Sequence, residues 1–183
     1  MNISSIKNIV MSLFIVVALT SCNYGETLQG YYVTNQETPN FISVDIPVSL
    51  VSVDNIELTN DQQDAYDSID KLNMLGYTIG EDNQEEYKVE LSKVQTLLKD
   101  DKYQELFRGG NSTDGKVNIK YIGDDDSIDE LIIFGSANDR GFAIIRVLGD
   151  NMEPAKIIKL GDIVGELSSS ETSVNDFMKF FEL

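Results

Sequence analysis

The chain has no histidine, no tryptophan, one cysteine and three prolines in 183 residues. Each absence removes a class of chemistry. Without histidine there is no Ser-His-Asp or Cys-His relay. With a single cysteine there is neither a His- or Cys-ligated zinc or iron site nor an internal disulfide. Catalysis would fall to carboxylates, lysine, tyrosine, serine and threonine. Cations are scarce as well: 14 Lys and Arg stand against 31 Asp and Glu, a net charge of −17 with a pI near 4.1. Nucleic-acid binding needs a surplus of Lys and Arg, so the balance argues against that partner. It argues equally against electrostatic adhesion to anionic lipid. The charge mainly serves solubility.

Long apolar runs are missing too, except near the amino terminus. One cation, Lys7, precedes an apolar stretch over 9–19, followed by Leu19-Thr20-Ser21-Cys22. The stretch is short for a bilayer span, which takes about 20 apolar residues, and has the length of a secretory h-region. Leu-Thr-Ser-Cys resembles the lipobox of bacterial lipoproteins. The resemblance implies cleavage before Cys22 and acyl chains (palmitate among them) on that residue, with residues 1–21 as signal peptide. The processed chain then carries 13 cations and 31 acids, a charge of 13 − 31 = −18. Each buried methylene contributes about 0.8 kcal/mol, so two or more acyl chains anchor firmly. Asn23 is not the Asp that resembles an inner-membrane retention signal, which points to the outer membrane, facing either periplasm or surface.

The remainder divides by pattern. Residues 22–40 are polar, Gly-punctuated and aperiodic, and read as a lipidated amino terminus and flexible tether, with Tyr24, Tyr31 and Tyr32 as possible headgroup-level rings. A single domain is expected over 41–168. Ile42, Val44, Ile46 and Val48 alternate with polar residues as in a half-buried strand, and Pro47 places that strand at an edge. Thr59 or Asn60 caps a helix running to about Lys71, with a strand from about Met74; a shorter helix and an earlier strand is the alternative. Tyr87, Leu91, Val94 and Leu98 form the stripe of a second helix. Tyr103–Phe107 is a short apolar piece ended by a Gly109-Gly110-Asn111-Ser112 loop. Three β-rich runs over 116–121, 128–134 and 142–148, joined by short turns, read as an antiparallel meander. The last two are apolar at nearly every position, so both faces should be covered. A third helix follows with Pro154 in its first turn and Ile157, Leu160, Val164 and Leu167 inward.

Three stretches are candidates for function. Asp124, Asp125, Asp126 and Asp129 are the residues a calcium site would use, but the spacing lacks the glycine of the known calcium loop, and a solvated hairpin turn is the preferred reading, with no metal expected. Among 31 acids some pair will stand at glycosidase distance by chance, so no catalytic residue is singled out. The tail over 169–183 places Val174, Phe177, Met178 and Phe181 on one helical face. Docked on the domain it completes the core; left exposed it is a partner-binding surface.

The succession of a helix, Tyr103–Leu106, Val117-x-Ile119, Ile128-x-Glu130-Leu131-Ile132, Phe142–Ile145, Gly149 and a final helix resembles the domain-of-unknown-function family 4252, small lipoproteins of the bacterial envelope, over about residues 41–167. The resemblance implies an envelope location and brings no activity, cofactor or catalytic residue with it. The expectation is an α+β fold, an antiparallel sheet of about five strands with helices packed on one side. The expected function is non-enzymatic: a cell-envelope lipoprotein that binds another envelope component in a structural or regulatory role. The alternatives are a small-ligand or calcium-binding module and a carboxylate-dependent glycan hydrolase.

Overall fold

The computed structural model describes residues 26–51, 53, 56–111 and 115–161. Its first element is α1 (Leu28–Asn35), which begins where the Thr27 side chain accepts a hydrogen bond from the Gly30 amide at 3.0 Å. β1 (Phe41–Pro47) follows, ending at its proline. α2 (Asn60–Ser68) starts with a capping box: the Thr59 amide donates to Gln62 Oε1 at 2.9 Å while the Gln62 amide donates back to Thr59 Oγ1, satisfying two donors that a helix start leaves free. The chain then enters β2 (Ile69–Thr78), α3 (Gln84–Leu97), β3 (Gln104–Asn111), β4 (Gly115–Asp124), β5 (Ser127–Ala137), β6 (Gly141–Met152) and α4 (Pro154–Gly161).

All six strands join one antiparallel sheet in the order β1-β2-β6-β5-β4-β3. β3 to β6 form a meander, and β6 also takes β2 on its far side. Successive β6 residues point to opposite faces, and the faces have different covers. Phe142 and Ile144 pack with Leu75, Tyr77, Ile132 and Phe134 beneath α1 and α3, through Leu28, Tyr31, Tyr32, Tyr87, Val94 and Leu98. Ile145 and Val147 face the other way, toward Ala65 of α2 and Ile157 and Leu160 of α4, and Ala143 packs on that side with Ile46 and Met74.

The α+β class, the meander and the edge position of β1 agree with the sequence reading. Four details differ. The sheet has six strands because Gln104–Asn111 continues through Gly109 and Gly110, paired to Val117 and Lys116; Gly110 sits at φ +88°, and a Cβ there would lie 2.2 Å from the Gly115 carbonyl. Helices cover both faces, two on each, because β5 and β6 are apolar on both sides and each side needs a cover. The tether is shorter than expected, since 28–35 form a core helix: Leu28, Tyr31, Tyr32 and Asn35 repeat at helical spacing and are buried, which removes Tyr31 and Tyr32 from any headgroup role. Finally β2 begins at Ile69 rather than Met74. Ala65, Ile69 and Leu72 suit a helix face, but the ladder to β6 claims Ile69 and Lys71, and tertiary pairing overrides so short a periodicity.

Candidate functional site

α3 lies over β2, β6 and β5 and does not reach the far edge of the sheet. Its acidic first turn, with Glu85 and Glu86, suits the positive end of the helix dipole, and Val94 and Leu98 anchor its second half in the core. Beyond it the β3–β4 hairpin extends as an arm. β3 is exposed at every position except Gly109, which is half-buried. The angle between the last turn of α3 and this arm is a cleft of about 580 Å³.

Among the described residues the charged ones lining the cleft are all cations: Lys99 from the end of α3, Arg108 from β3, and Lys116 and Lys120 from β4. Leu98 and Phe134 supply its apolar floor. The register explains the grouping. Arg108 pairs with Asn118 and Gly110 with Lys116, and β-strand alternation puts Lys116, Asn118 and Lys120 on one face. Lys120 is buried and donates to the Leu98 carbonyl at 2.6 Å and the Tyr103 carbonyl at 2.8 Å. It therefore caps the negative end of α3 with two of its three N–H donors, leaving the third. Arg108 is bound by Glu105, whose carboxyl is held below the usual carboxylate range by the hydrogen bond and charge of that guanidinium. Lys99 and Lys116 are exposed and have no acidic partner among the described residues. Asn118 Oδ1 is buried and accepts no hydrogen bond; it and the Tyr77 hydroxyl are the two such side-chain atoms among the described residues.

Farther in on the same face is a second charged group. Arg146 of β6 and Glu130 of β5 meet in a two-pronged pair, Nε to Oε1 at 2.5 Å and Nη2 to Oε2 at 3.0 Å. The guanidinium lies 5.2 Å over the Tyr32 ring, a cation–π distance, and the Tyr32 hydroxyl donates to the Ile144 carbonyl at 2.7 Å. Burial works against the charge on Arg146, but Glu130 outweighs it and raises the pKa. Nearby, Tyr31 donates to Glu90 at 2.8 Å and Lys93 to the other oxygen of that carboxylate at 2.6 Å. These closed pairs hold α1 and α3 to the sheet.

The residues singled out from sequence fall elsewhere. Asp124, Asp125, Asp126 and Asp129 are exposed around the β4–β5 turn, where Asp125 accepts from the Tyr121 hydroxyl at 2.5 Å. Among the described residues no group of three or more acids is placed to hold a metal ion. Cys22, Val174, Phe177, Met178 and Phe181 lie outside the described residues. The cationic cleft was half legible: Lys116, Asn118 and Lys120 form the polar side of an alternating strand. Nothing in the sequence pairs that side with Lys99 and Arg108, because β3 reads as a loop.

The fold and cleft define a small α+β sheet protein with charge and hydrogen-bond donors gathered at one place and, among the described residues, no carboxylate lining it. The chain belongs to a family described as Domain of unknown function (DUF4252), whose model matches residues 31–160. The match starts inside α1 and ends inside α4, so the family unit is the sheet with its helices. No curated protein and no solved structure matches the chain. No helix among the described residues is long and apolar enough to cross a membrane, which says nothing of membrane β-barrels.

Proposed function

We propose that the chain is a cell-envelope lipoprotein, anchored by acyl groups on Cys22 and acting by binding another envelope component rather than by catalysis. The feature that supports this best is the β3–β4 arm. β3 pairs on one side only, so its outer backbone edge is open, and on the face away from the cleft it exposes Phe107 at 53 % and Leu106 at 37 %. Sheets ordinarily protect such an edge with proline, a cover or charge. β1, the opposite edge, has Pro47, whereas β3 carries the single Glu105–Arg108 pair. An edge of this kind accepts a strand from a partner protein, with backbone hydrogen bonds giving affinity and side-chain pockets giving selectivity.

The test is in-cell photocrosslinking from Phe107 and, separately, from exposed Val33 on α1, in the full chain and in a chain ending at Ser170. A single reproducible envelope adduct from position 107, absent from position 33 and kept after truncation, is the expected result. An adduct that disappears on truncation moves the contact to Val174, Phe177, Met178 and Phe181. No adduct from position 107 in either chain overturns the arm reading. The second reading, a small-ligand module, is favoured by the cationic cleft.

A further inference from the structure

The cleft gathers cations where the chain as a whole is strongly anionic. Fourteen cations and 31 acids are distributed over the sequence, yet among the described residues every charged one lining this cavity is a cation, and the neighbouring acid Glu105 is held by Arg108. Like charges brought together repel, and the fold does nothing to relieve Lys99 and Lys116 with a described acid. An anion in the cleft would relieve them.

The geometry narrows the class of anion. Lys120 is fixed by two carbonyls, which orient the ammonium without cancelling its charge, and its third donor remains. Arg108 spends its Nε and Nη2 donors on Glu105 and brings the rest of its guanidinium to the cleft wall. With Lys99 on the helix and Lys116 on β4, donors stand on three elements around one space. That arrangement suits a tetrahedral oxyanion with several oxygens better than a planar carboxylate. The volume of about 580 Å³ falls in the range of small-molecule sites, and Leu98 and Phe134 offer an apolar floor for a short carbon skeleton.

We propose that the cleft between α3 and the β3–β4 arm binds a small phosphate ester, of the size of a glycerol phosphate or sugar phosphate. The site lies on the opposite face of the arm from Phe107 and does not depend on the partner-binding reading. The same chemistry occurs in free phosphorylated polyols and in the headgroup of a phospholipid, so the test separates the two sources.

The test is calorimetric titration of the full chain at low salt in a neutral detergent. The probes are inorganic phosphate, glycerol 3-phosphate, dihexanoyl phosphatidylglycerol and dihexanoyl phosphatidylcholine. Expected is saturable binding of glycerol 3-phosphate, several-fold tighter than inorganic phosphate, and weakened about tenfold or more by the double substitution Lys99→Ala and Lys116→Ala. Both residues are exposed, so the melting temperature should stay unchanged. Lys88→Ala, on α3 but outside the cleft, should leave binding intact. Tighter binding of dihexanoyl phosphatidylglycerol than of glycerol 3-phosphate, with phosphatidylcholine weak, assigns the site to a lipid headgroup; the reverse order assigns it to a free phosphorylated polyol. Equal affinity for inorganic phosphate and glycerol 3-phosphate overturns the role of the apolar floor and with it the ester. No binding of any probe at millimolar concentration, or binding untouched by the double substitution, overturns the site.

Discussion

Glu130→Gln removes the counter-charge of Arg146 while keeping the shape of the side chain. The two side chains are 11 % and 6 % exposed, and they are joined by two hydrogen bonds. Breaking a buried pair from one side leaves an uncompensated charge and costs about 3–5 kcal/mol. In a domain near 150 residues each kcal/mol is about 2–4 °C of melting temperature, so the variant should melt about 6–20 °C lower. Replacing both partners, with Glu130→Leu and Arg146→Met, removes the desolvation cost together with the attraction and should recover most of the loss. The Tyr32 ring, already against Arg146, can pack on the methionine. Urea unfolding followed by far-ultraviolet circular dichroism of the wild type, Glu130→Leu, Arg146→Met and their double variant supplies the four corners of a double-mutant cycle, which isolates the coupling. A loss below about 1 kcal/mol for Glu130→Gln would mean that the pair behaves as a surface ion pair, refuting the reasoning from burial.

Leu28→Ala should cost about 2–5 kcal/mol, the range for emptying a buried leucine site, because Leu28 is 1 % exposed; a loss near zero in urea unfolding would return 28–35 to the tether. Gly141→Ala should destabilise strongly, since Gly141 sits at φ +121° and a Cβ there would lie 1.8 Å from the Tyr77 carbonyl; unchanged stability would contradict the β2–β6 register at that end. Burial, with a contribution from the Glu86 carboxylate, pushes the Tyr77 phenol up to about 12. A group whose pKa is raised by folding contributes stability that is full below its unfolded value near 10 and fades as pH rises through the folded value, so stability should fall between pH about 10 and 12. Tyr77→Phe should make that fall shallower by one proton's share, the buried Tyr31 and Tyr32 phenols being raised as well, and cost little at neutral pH, because the hydroxyl has no hydrogen-bond partner to lose; an equally steep alkaline fall in the variant would dismiss Tyr77 as a contributor.

What the sequence made legible depended on how local the signal was. The stripe Tyr87–Val94–Leu98 and the two apolar runs of β5 and β6 are strong, continuous patterns, and they became α3 and the sheet centre. α1 was missed because its stripe spans only eight residues and its buried members include two tyrosines and an asparagine, residues as common in linkers as in cores. β3 was missed because its two glycines carry no side-chain pattern, and only the ladder to β4 makes them a strand. Losing β3 also hid the cleft, since Arg108 and Lys116 come together only through that pairing.

The place of β6 in the sheet governs when this protein can fold. It is the last of the described strands, yet it lies between β2 and β5, and Tyr77 waits for Phe142, 142 − 77 = 65 positions later. Until then β2 has β1 alone, and Leu75 and Tyr77 have no floor to rest on. A meander could close strand by strand as it emerges; this sheet closes only when its final strand slots between two pieces already made. Pairing across such distances slows folding, and the six-stranded sheet cannot be complete before the residues of β6, 141–152, are available.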